Sequence, residues 1–388
     1  MQPSRTFRTI APLVRAAAAC LAALAAPAFA ASFVILHGLS SSEGSFPQSR
    51  LTLDAQGDLY GTATYEGAGG WGSLFRITPS GEFSILHDFD LVTGGLPTGS
   101  LLFDAEGGLW GTTQLASAPF DEGAVYRLDP SGHIEVGGLG QGKSPWAGLT
   151  EGGDGMLYGT TLDGGAHGVG TVFRFDPAVF DGVTIHSFDG AHDGDGPRST
   201  LLLSDGVLVG TAVQGGHGDR GTVFRLSLDG RDFDVQRTGK GAWLFGGLTL
   251  DAQGRAWGVM AADKATGHNS AVGTGGIFMI DADGNVTVGH RFAADTSEGW
   301  SGSGDLLLAK DGWLYGTTLG GGAHGNGTIY RFNPNDHTFE VLYNFDSAGA
   351  GHAFHSRAGL VQDASGAFYG TTSEGGPFGG GTVFRFDL

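Results

Sequence analysis

The sequence predicts an all-β protein, a seven-bladed β-propeller of four-stranded antiparallel blades. One phrase occurs seven times, and its glycine falls at Gly61, Gly111, Gly159, Gly210, Gly258, Gly316 and Gly370. The repeats are 48 to 58 residues long, which is the length of one propeller blade. In each repeat, short runs of β-branched and aromatic residues alternate with Gly, Asp and Pro, a pattern typical of strands joined by tight turns.

One repeat, residues 147–190, shows the four predicted strands in order. A short strand begins at Leu149, and residues 156–161 form the second strand. Residues 171–175 form the third strand and residues 183–188 the fourth. No window of ten residues has the periodicity of an amphipathic helix. Four antiparallel strands in about 50 residues make one blade.

The two ends of the chain predict how the ring closes. Residues 32–37 match a fourth strand, and residues 383–386 match a third strand. The N-terminal strand can therefore complete the last blade and leave no free edge. We predict that residues 31–388 form a single propeller domain.

Residues 1–30 have the pattern of a secretory signal peptide. Three arginines precede a short apolar run at residues 16–26, and Ala28-Phe29-Ala30 is a typical cleavage site. The apolar run is too short to span a membrane, and no later segment is long enough. The only cysteine, Cys20, lies inside this leader. We therefore expect an exported protein that has neither disulfides nor a thiolate metal site.

The charge of the chain limits its partners. The chain has 21 Lys and Arg against 40 Asp and Glu, a net charge of −19. Cleavage of the leader would remove three Arg and no acidic residue, so the net charge of the remaining chain would be −22. Such an acidic surface repels phosphate, so nucleic acid and anionic membranes are not expected partners. We expect a monomer that requires no cofactor.

The repeat also resembles a known family. Tyr158-Gly159-Thr160-Thr161 is followed by Gly164-Gly165 and then by Gly170-Thr171-Val172-Phe173-Arg174. This phrase is similar to the GloVer tandem repeat of bacterial exported "choice-of-anchor" proteins, and the similarity covers residues 32–388. The resemblance implies a secreted or cell-surface protein, and it supplies no catalytic residues.

Positions that agree in all repeats are expected to be scaffold. We expect the second-strand glycine to admit the close approach of a neighbouring blade. The third-strand aromatic residue is followed by arginine in six repeats, at Arg76, Arg127, Arg174, Arg225, Arg331 and Arg385. We interpret these arginines as structural, for example as partners of an Asp in a nearby turn.

One position just before the first strand varies while its neighbours stay the same. It is occupied in turn by Gln48, Thr98, Trp146, Arg198, Phe245, Ser303 and Arg357. Since the first strand is innermost, these side chains should surround one mouth of the central channel. The variation at this position can result from neutral sequence drift in a solvated loop. Alternatively, Trp146, Arg198, Phe245 and Arg357 form a clamp for a sugar ring or an anionic ligand.

Histidines are frequent in the loops of the same face. His167, His217 and His324 are candidate ligand-binding residues, in loops between the second and third strands. Such a histidine can also serve only as a turn residue with an unusual backbone conformation; metal ligation or proton transfer are the functional alternatives.

The segment around His192 contains Asp189, Asp193 and Asp195, which suit a short oxygen-ligand loop for Ca²⁺ or another divalent ion. The spacing differs from that of an EF-hand, and a solvated turn is the alternative reading.

Three classes of function remain. A ligand-binding or scaffold protein is the first, because the chain has no nucleophile elbow and no phosphate-binding loop. A secreted lyase or hydrolase that acts on an acidic polysaccharide, with His and Arg in the funnel, is the second. A purely structural component of the cell envelope is the third. The fold alone does not separate them.

Overall fold

The structure of the protein is a computed structural model. It describes residues 31–119, 122–216, 221–237, 243–261, 274–281, 284–348 and 352–388, without the side chains of residues 236, 237 and 245. In these residues the chain forms strands and turns and no helix. The described part of the chain has no helix long and apolar enough to cross a membrane. The leader predicted at residues 1–30 lies outside it.

The described residues form seven blades, as the repeat predicts. Blade 1 consists of Thr52–Leu53, Leu59–Ala63, Ser73–Ile77 and Phe83–Asp88. Blade 2 consists of Gly95–Pro97 with Leu102–Phe103, Leu109–Leu115, Ala124–Leu128 and Ile134–Gly137. Blade 3 consists of Thr150–Glu151, Leu157–Thr161, Thr171–Asp176 and Asp181–Ser187. Blade 4 consists of Asp195–Pro197 with Leu202–Ser204, Val207–Gln214, Thr222–Ser227 and Phe233–Arg237.

The remaining blades follow the same order. Blade 5 consists of Trp243–Leu250, Ala256–Ala261, Gly276–Ile280 and Val286–Arg291. Blade 6 consists of Trp300–Leu308, Leu314–Gly320, Thr328–Phe332 and Phe339–Asn344. Blade 7 consists of Val361–Gln362, Phe368–Thr372, Thr382–Asp387 and Ser32–Gly38. Two short pairs extend the first and second strands of single blades, Gly142–Lys143 with Asp163–Gly164 in blade 3 and Ala353–Phe354 with Glu374–Gly375 in blade 7.

The N-terminal strand closes the ring, which confirms the prediction. Ser32–Gly38 pairs antiparallel with Thr382–Asp387, from Ser32 opposite Asp387 to Gly38 opposite Thr382. The ring of Phe33 stacks on Tyr343 of blade 6 at a centroid distance of 4.4 Å. The first described segment of the chain is therefore the outer strand of the last blade.

The core consists of seven apolar clusters in the described residues, one between each pair of adjacent blades. Between blades 1 and 2, for example, Leu74 packs with Leu109 and Tyr126. Each blade thus buries both faces against its neighbours, which explains why both faces of the second and third strands are apolar.

The turns between the first and second strands hold a repeated hydrogen bond. In six blades the turn aspartate accepts a hydrogen bond from the second-strand aromatic residue, in the pairs Tyr60–Asp54, Trp110–Asp104, Tyr158–Asp154, Trp257–Asp251, Tyr315–Asp311 and Tyr369–Asp363. In blade 4 the equivalent residue is Val209, which has no donor. The bond ties each turn to the blade interior.

Acidic residues bind four of the third-strand arginines, namely Arg76, Arg127, Arg331 and Arg385. Arg127 donates to the turn residue Asp104 at 2.7 Å, and Arg76 donates to Asp58 at 2.6 Å. In blade 6, Arg331 instead bonds to Glu340 on the adjacent strand. Blade 5 has Met279 at this position, and Arg255 binds the turn residue Asp251. These arginines are structural.

Histidines of the outer strands join neighbouring blades. The rings of His37, His186 and His290 stack on an aromatic ring of the next blade, at 3.9, 3.7 and 4.2 Å from Phe83, Phe233 and Phe339. Each imidazole also bonds to a carboxylate, in the pairs His37–Glu43, His186–Asp193 and His290–Glu298. These three histidines therefore have a structural role.

We predict that ring closure is essential to stability. Deletion of residues 32–38 removes the partner of Thr382–Asp387 and uncovers Phe384 and Phe386, so the free energy of unfolding should fall by roughly 4 kcal/mol or more. Chemical denaturation measures it, with the chain that starts at Ala31 as the control. Equal stability of the two chains would contradict this closure.

We also predict that Asp104 is a structural carboxylate. Burial alone would raise its pKa, but hydrogen bonds from Arg127, Gly108 and Trp110 outweigh burial and hold the pKa of Asp104 below its usual value. Asp104→Ala leaves Arg127 and Trp110 without this acceptor and should cost about 2–4 kcal/mol. Glu106→Ala, in the same turn but exposed, should change stability by less than about 0.5 kcal/mol. Equal effects of the two changes in denaturation would disprove the role of Asp104.

Candidate functional site

A cavity of about 1050 Å³ lies at the centre of the ring, where the first strands begin. Its wall comes from two kinds of segment. One is the residues around the start of each first strand, such as Gln48 and Ser303. The other is the ends of second strands, such as Val213 and Leu319. The cavity therefore opens on the face with the long, varied loops. We call it the funnel.

The backbone bends sharply just before the funnel wall. Two residues before the variable position, six blades have a residue with positive φ, at Phe46, Leu96, Ser144, Gly196, Ser301 and His355. These φ values lie between 52° and 64°, in the left-handed region. The bend is thus a feature of the repeat, and it directs the variable side chain toward the channel.

Six of the seven variable residues line the funnel together, namely Gln48, Thr98, Trp146, Arg198, Ser303 and Arg357. The seventh, Phe245, belongs to strand Trp243–Leu250, and its side chain lies outside the described residues. The hydroxyls of Thr98 and Ser303 donate to the backbone of the next blade, at 3.0 and 2.7 Å. These two residues therefore contribute to the scaffold. That Trp146, Arg198 and Arg357 bind a ligand stays a prediction.

Arg198 lies half-buried against an aromatic face. Its Cζ is 4.2 Å from the centroid of the Trp146 ring, which is within the range of a cation–π contact. Burial lowers the pKa of Arg198, the positive charge of Arg357 lowers it further, and Asp163 acts in the opposite direction. A guanidinium stays charged at neutral pH despite such shifts.

Arg357 also lies beside an aromatic ring, on the other side of the funnel, but it is more exposed than Arg198. Its Cζ is 5.2 Å from the ring of Phe46. Loss of contact with water lowers the pKa of Arg357, while Glu374 and Tyr65 raise it. Blades 4 and 7 are as far apart as a ring of seven allows. Two guanidinium groups, each against an aromatic ring, therefore face the funnel from opposite sides.

The sequence analysis missed several lining residues. Arg50 and Asp305 lie two residues after the variable position, and Phe46 and Tyr65 also line the funnel. Among the described lining residues, the charged ones are Arg50, Arg198, Arg357 and Asp305. The Asp305 carboxylate accepts a hydrogen bond from the amide of Gly247. Comparison of the repeats two positions further on would have found Arg50 and Asp305.

The candidate histidines lie elsewhere. His167 and His324 are exposed at loop tips and do not line the funnel. His217 lies outside the described residues. The structure therefore does not bring His167 or His324 together with the arginines.

The three candidate aspartates form a local turn. Asp189 bonds to the backbone and the ring of His192, and these bonds lower the pKa of Asp189. Asp193 accepts from the amide of Asp189 at 2.7 Å and bonds to His186 at 2.9 Å. Asp195 begins strand Asp195–Pro197. The described residues contain no group of three or more His, Cys, Asp or Glu side chains placed to hold a metal ion.

Comparison with known proteins places the chain among repeat propellers. The family model described as Gloeobacter/Verrucomicrobia repeat matches residues 26–139, 136–269 and 264–388. No curated protein matches the chain.

Solved structures with the same fold have low sequence identity. Virginiamycin B lyase from Staphylococcus aureus is 15% identical, over 92% of this chain and 99% of that one, with a TM-score of 0.63. Oligogalacturonate lyase from Vibrio parahaemolyticus is 11% identical, over 92% and 93%, with a TM-score of 0.57. An extracellular domain of a two-component system from B. thetaiotaomicron is 14% identical, over 90% and 41%, with a TM-score of 0.57. At these identities the similarity shows the fold alone.

Proposed function

The chain belongs to the Gloeobacter/Verrucomicrobia repeat family, and we propose that it is an exported protein that binds acidic sugar units of a carbohydrate in its funnel. The observation that carries this proposal is the opposed pair Arg198 and Arg357, each against an aromatic ring. A planar guanidinium binds a carboxylate through two parallel hydrogen bonds. The aromatic residues offer apolar faces on which a sugar ring can stack.

The charge distribution supports an anionic ligand. The whole chain has a net charge of −19, yet three of the four charged side chains at the described funnel wall are arginines. Both guanidinium groups line the funnel, and the positive charge of Arg357 lowers the pKa of Arg198. An anion in the funnel would be attracted by both charges. A neutral ligand would not.

The dimensions of the funnel fit an oligosaccharide. About 1050 Å³ is at the upper end of the range for small-molecule sites. Aromatic side chains supply much of the wall, at Phe46, Tyr65, Trp146, Trp243 and Trp300. Aromatic faces interspersed with a few charged groups are typical of sites in which apolar contacts provide area and polar groups fix orientation.

We propose binding rather than catalysis. The alternative predicted from the sequence is a lyase or hydrolase that uses His and Arg in the funnel. His167 and His324 lie at loop tips away from Arg198 and Arg357, so they are not placed to transfer protons beside the arginines. The lyase activities of the similar structures belong to those proteins.

Export and a monomeric state remain part of the proposal. Export rests on the charged and apolar pattern of residues 1–30, followed by cleavage after Ala30. After Ala30 the chain contains no cysteine, so its fold does not depend on the redox state of the compartment.

The arginine pair gives the test. Arg198→Ala and Arg357→Ala should each weaken binding of a uronate-containing oligosaccharide about 10- to 100-fold, because each removes a charge-assisted pair. Isothermal titration calorimetry measures the affinity. Arg198→Lys, which keeps the charge and loses the planar fork, should have an intermediate effect. Arg231→Ala is the matched control, since Arg231 is an exposed arginine on an outer turn of blade 4.

Two results would contradict the proposal. One is unchanged affinity of both alanine variants for a ligand that the unmodified protein binds. The other is unfolding of both variants, which would make the pair part of the scaffold. A lyase would produce an unsaturated uronate, which absorbs ultraviolet light. A rise in absorbance after the protein and the oligosaccharide are mixed would therefore show lyase activity instead of binding alone.

A further inference from the structure

One loop on the funnel face differs from its counterparts. In blades 1, 3, 6 and 7 a parallel β-bridge closes the loop between the second and third strands, in the pairs Glu66–Trp71, Gly164–Val169, Gly321–Asn326 and Gly375–Gly380. These loops are therefore equivalent residue by residue. The position of Trp71 is occupied by Val169, Asn326 and Gly380 in the other three. The residue before the bridge is Tyr65 in blade 1 and Asp163, Gly320 and Glu374 in the others. The loop does not require an aromatic residue at either position.

A third aromatic residue of blade 1 is also not required by the fold. Phe46 has a φ of 62°, and the equivalent left-handed residues in five other blades are Leu96, Ser144, Gly196, Ser301 and His355. The position therefore accepts side chains of very different size and does not require Phe. Among the four blades in which the described residues show the bridged loop, blade 1 alone has Phe, Tyr or Trp at all three positions.

Two of these residues, Phe46 and Tyr65, line the funnel, and the third, Trp71, lies in the same loop as Tyr65 and is bridged to the adjacent Glu66. The ring of Phe46 is 5.2 Å from Cζ of Arg357 and 5.6 Å from the ring of Tyr65. Tyr65 lines the funnel and is 44% exposed. Trp71 is 36% exposed, and its carbonyl accepts a hydrogen bond from the amide of Leu96 in blade 2. We call Phe46, Tyr65 and Trp71 the aromatic strip.

We propose that the aromatic strip binds the sugar rings next to the acidic unit, so that the ligand of the funnel is a polysaccharide chain and not a free sugar acid. This inference rests on the proposed function. Exposed aromatic rings in a row offer flat apolar faces at which successive sugars can stack. The exposed carboxylate of Glu66 lies between Tyr65 and Trp71 in the loop and would repel a second uronate. The neighbouring sugars are therefore neutral.

Hyaluronan oligosaccharides test this inference, because uronate and neutral sugars alternate in them. Calorimetry compares free glucuronate with hyaluronan of two, four and six sugars. The unmodified protein should bind the hexasaccharide about tenfold more tightly than glucuronate. Trp71→Ala should remove most of this gain and leave the affinity for glucuronate unchanged, since Trp71 does not line the funnel. Trp71→Phe should keep the gain, since a ring remains.

Phe378→Ala is the matched control. Phe378 is a 69% exposed aromatic residue in the corresponding loop of blade 7, outside the strip, and its removal should change neither affinity.

The outcomes separate the two proposals. Equal affinity of the unmodified protein for glucuronate and for the hexasaccharide would contradict sugar binding by the aromatic strip. It would leave the proposed binding of an acidic sugar in the funnel intact. Persistence of the full length dependence in Trp71→Ala would also contradict the strip. Loss of glucuronate binding in Trp71→Ala would place Trp71 in the site of the acidic unit and would likewise contradict a separate strip. Failure of the unmodified protein to bind any of these uronates would contradict the proposed function itself.

Discussion

Every blade depends on one close contact between a glycine and an aromatic ring. A β-carbon at Gly61 would lie 2.6 Å from the Phe75 ring, and one at Gly159 would lie 2.5 Å from Phe173, distances that no real contact allows. The missing side chain lets the third-strand ring lie flat across the second strand. The next residue then joins the blades, because Thr112 donates to the carbonyl of Ala147 at 2.9 Å. The Gly-Thr phrase is therefore the element that holds the ring together.

The sequence predicts the number of blades and the closing strand because both follow from a period and from the match of two ends. It also predicts which variable position faces the channel. It does not show which atoms crowd the glycine: we expected a neighbouring blade, and the structure shows that the ring belongs to the same blade. The expectation of a neighbouring blade was wrong because the repeat period shows which residues share a strand position. It does not show which side chains pack across that strand.

The candidate site is only partly visible in the sequence for a similar reason. Arg198 and Arg357 differ from their counterparts and were found by comparison of repeats. Phe46 contributes through a left-handed backbone position, which has no local signal in the sequence, whereas Asp305 is visible only when the repeats are compared two positions further on. A rigid, repeated scaffold allows a few positions to vary freely, and it is at these positions that the funnel acquires positive charge in an acidic protein.

A crystal structure of the protein with a hyaluronan hexasaccharide tests the central claim most directly. The account predicts a uronate carboxylate in the funnel, bonded to the guanidinium groups of Arg198 and Arg357 at about 2.7–2.9 Å. A sugar bound on another surface, or in the funnel without contact to either arginine, would contradict it.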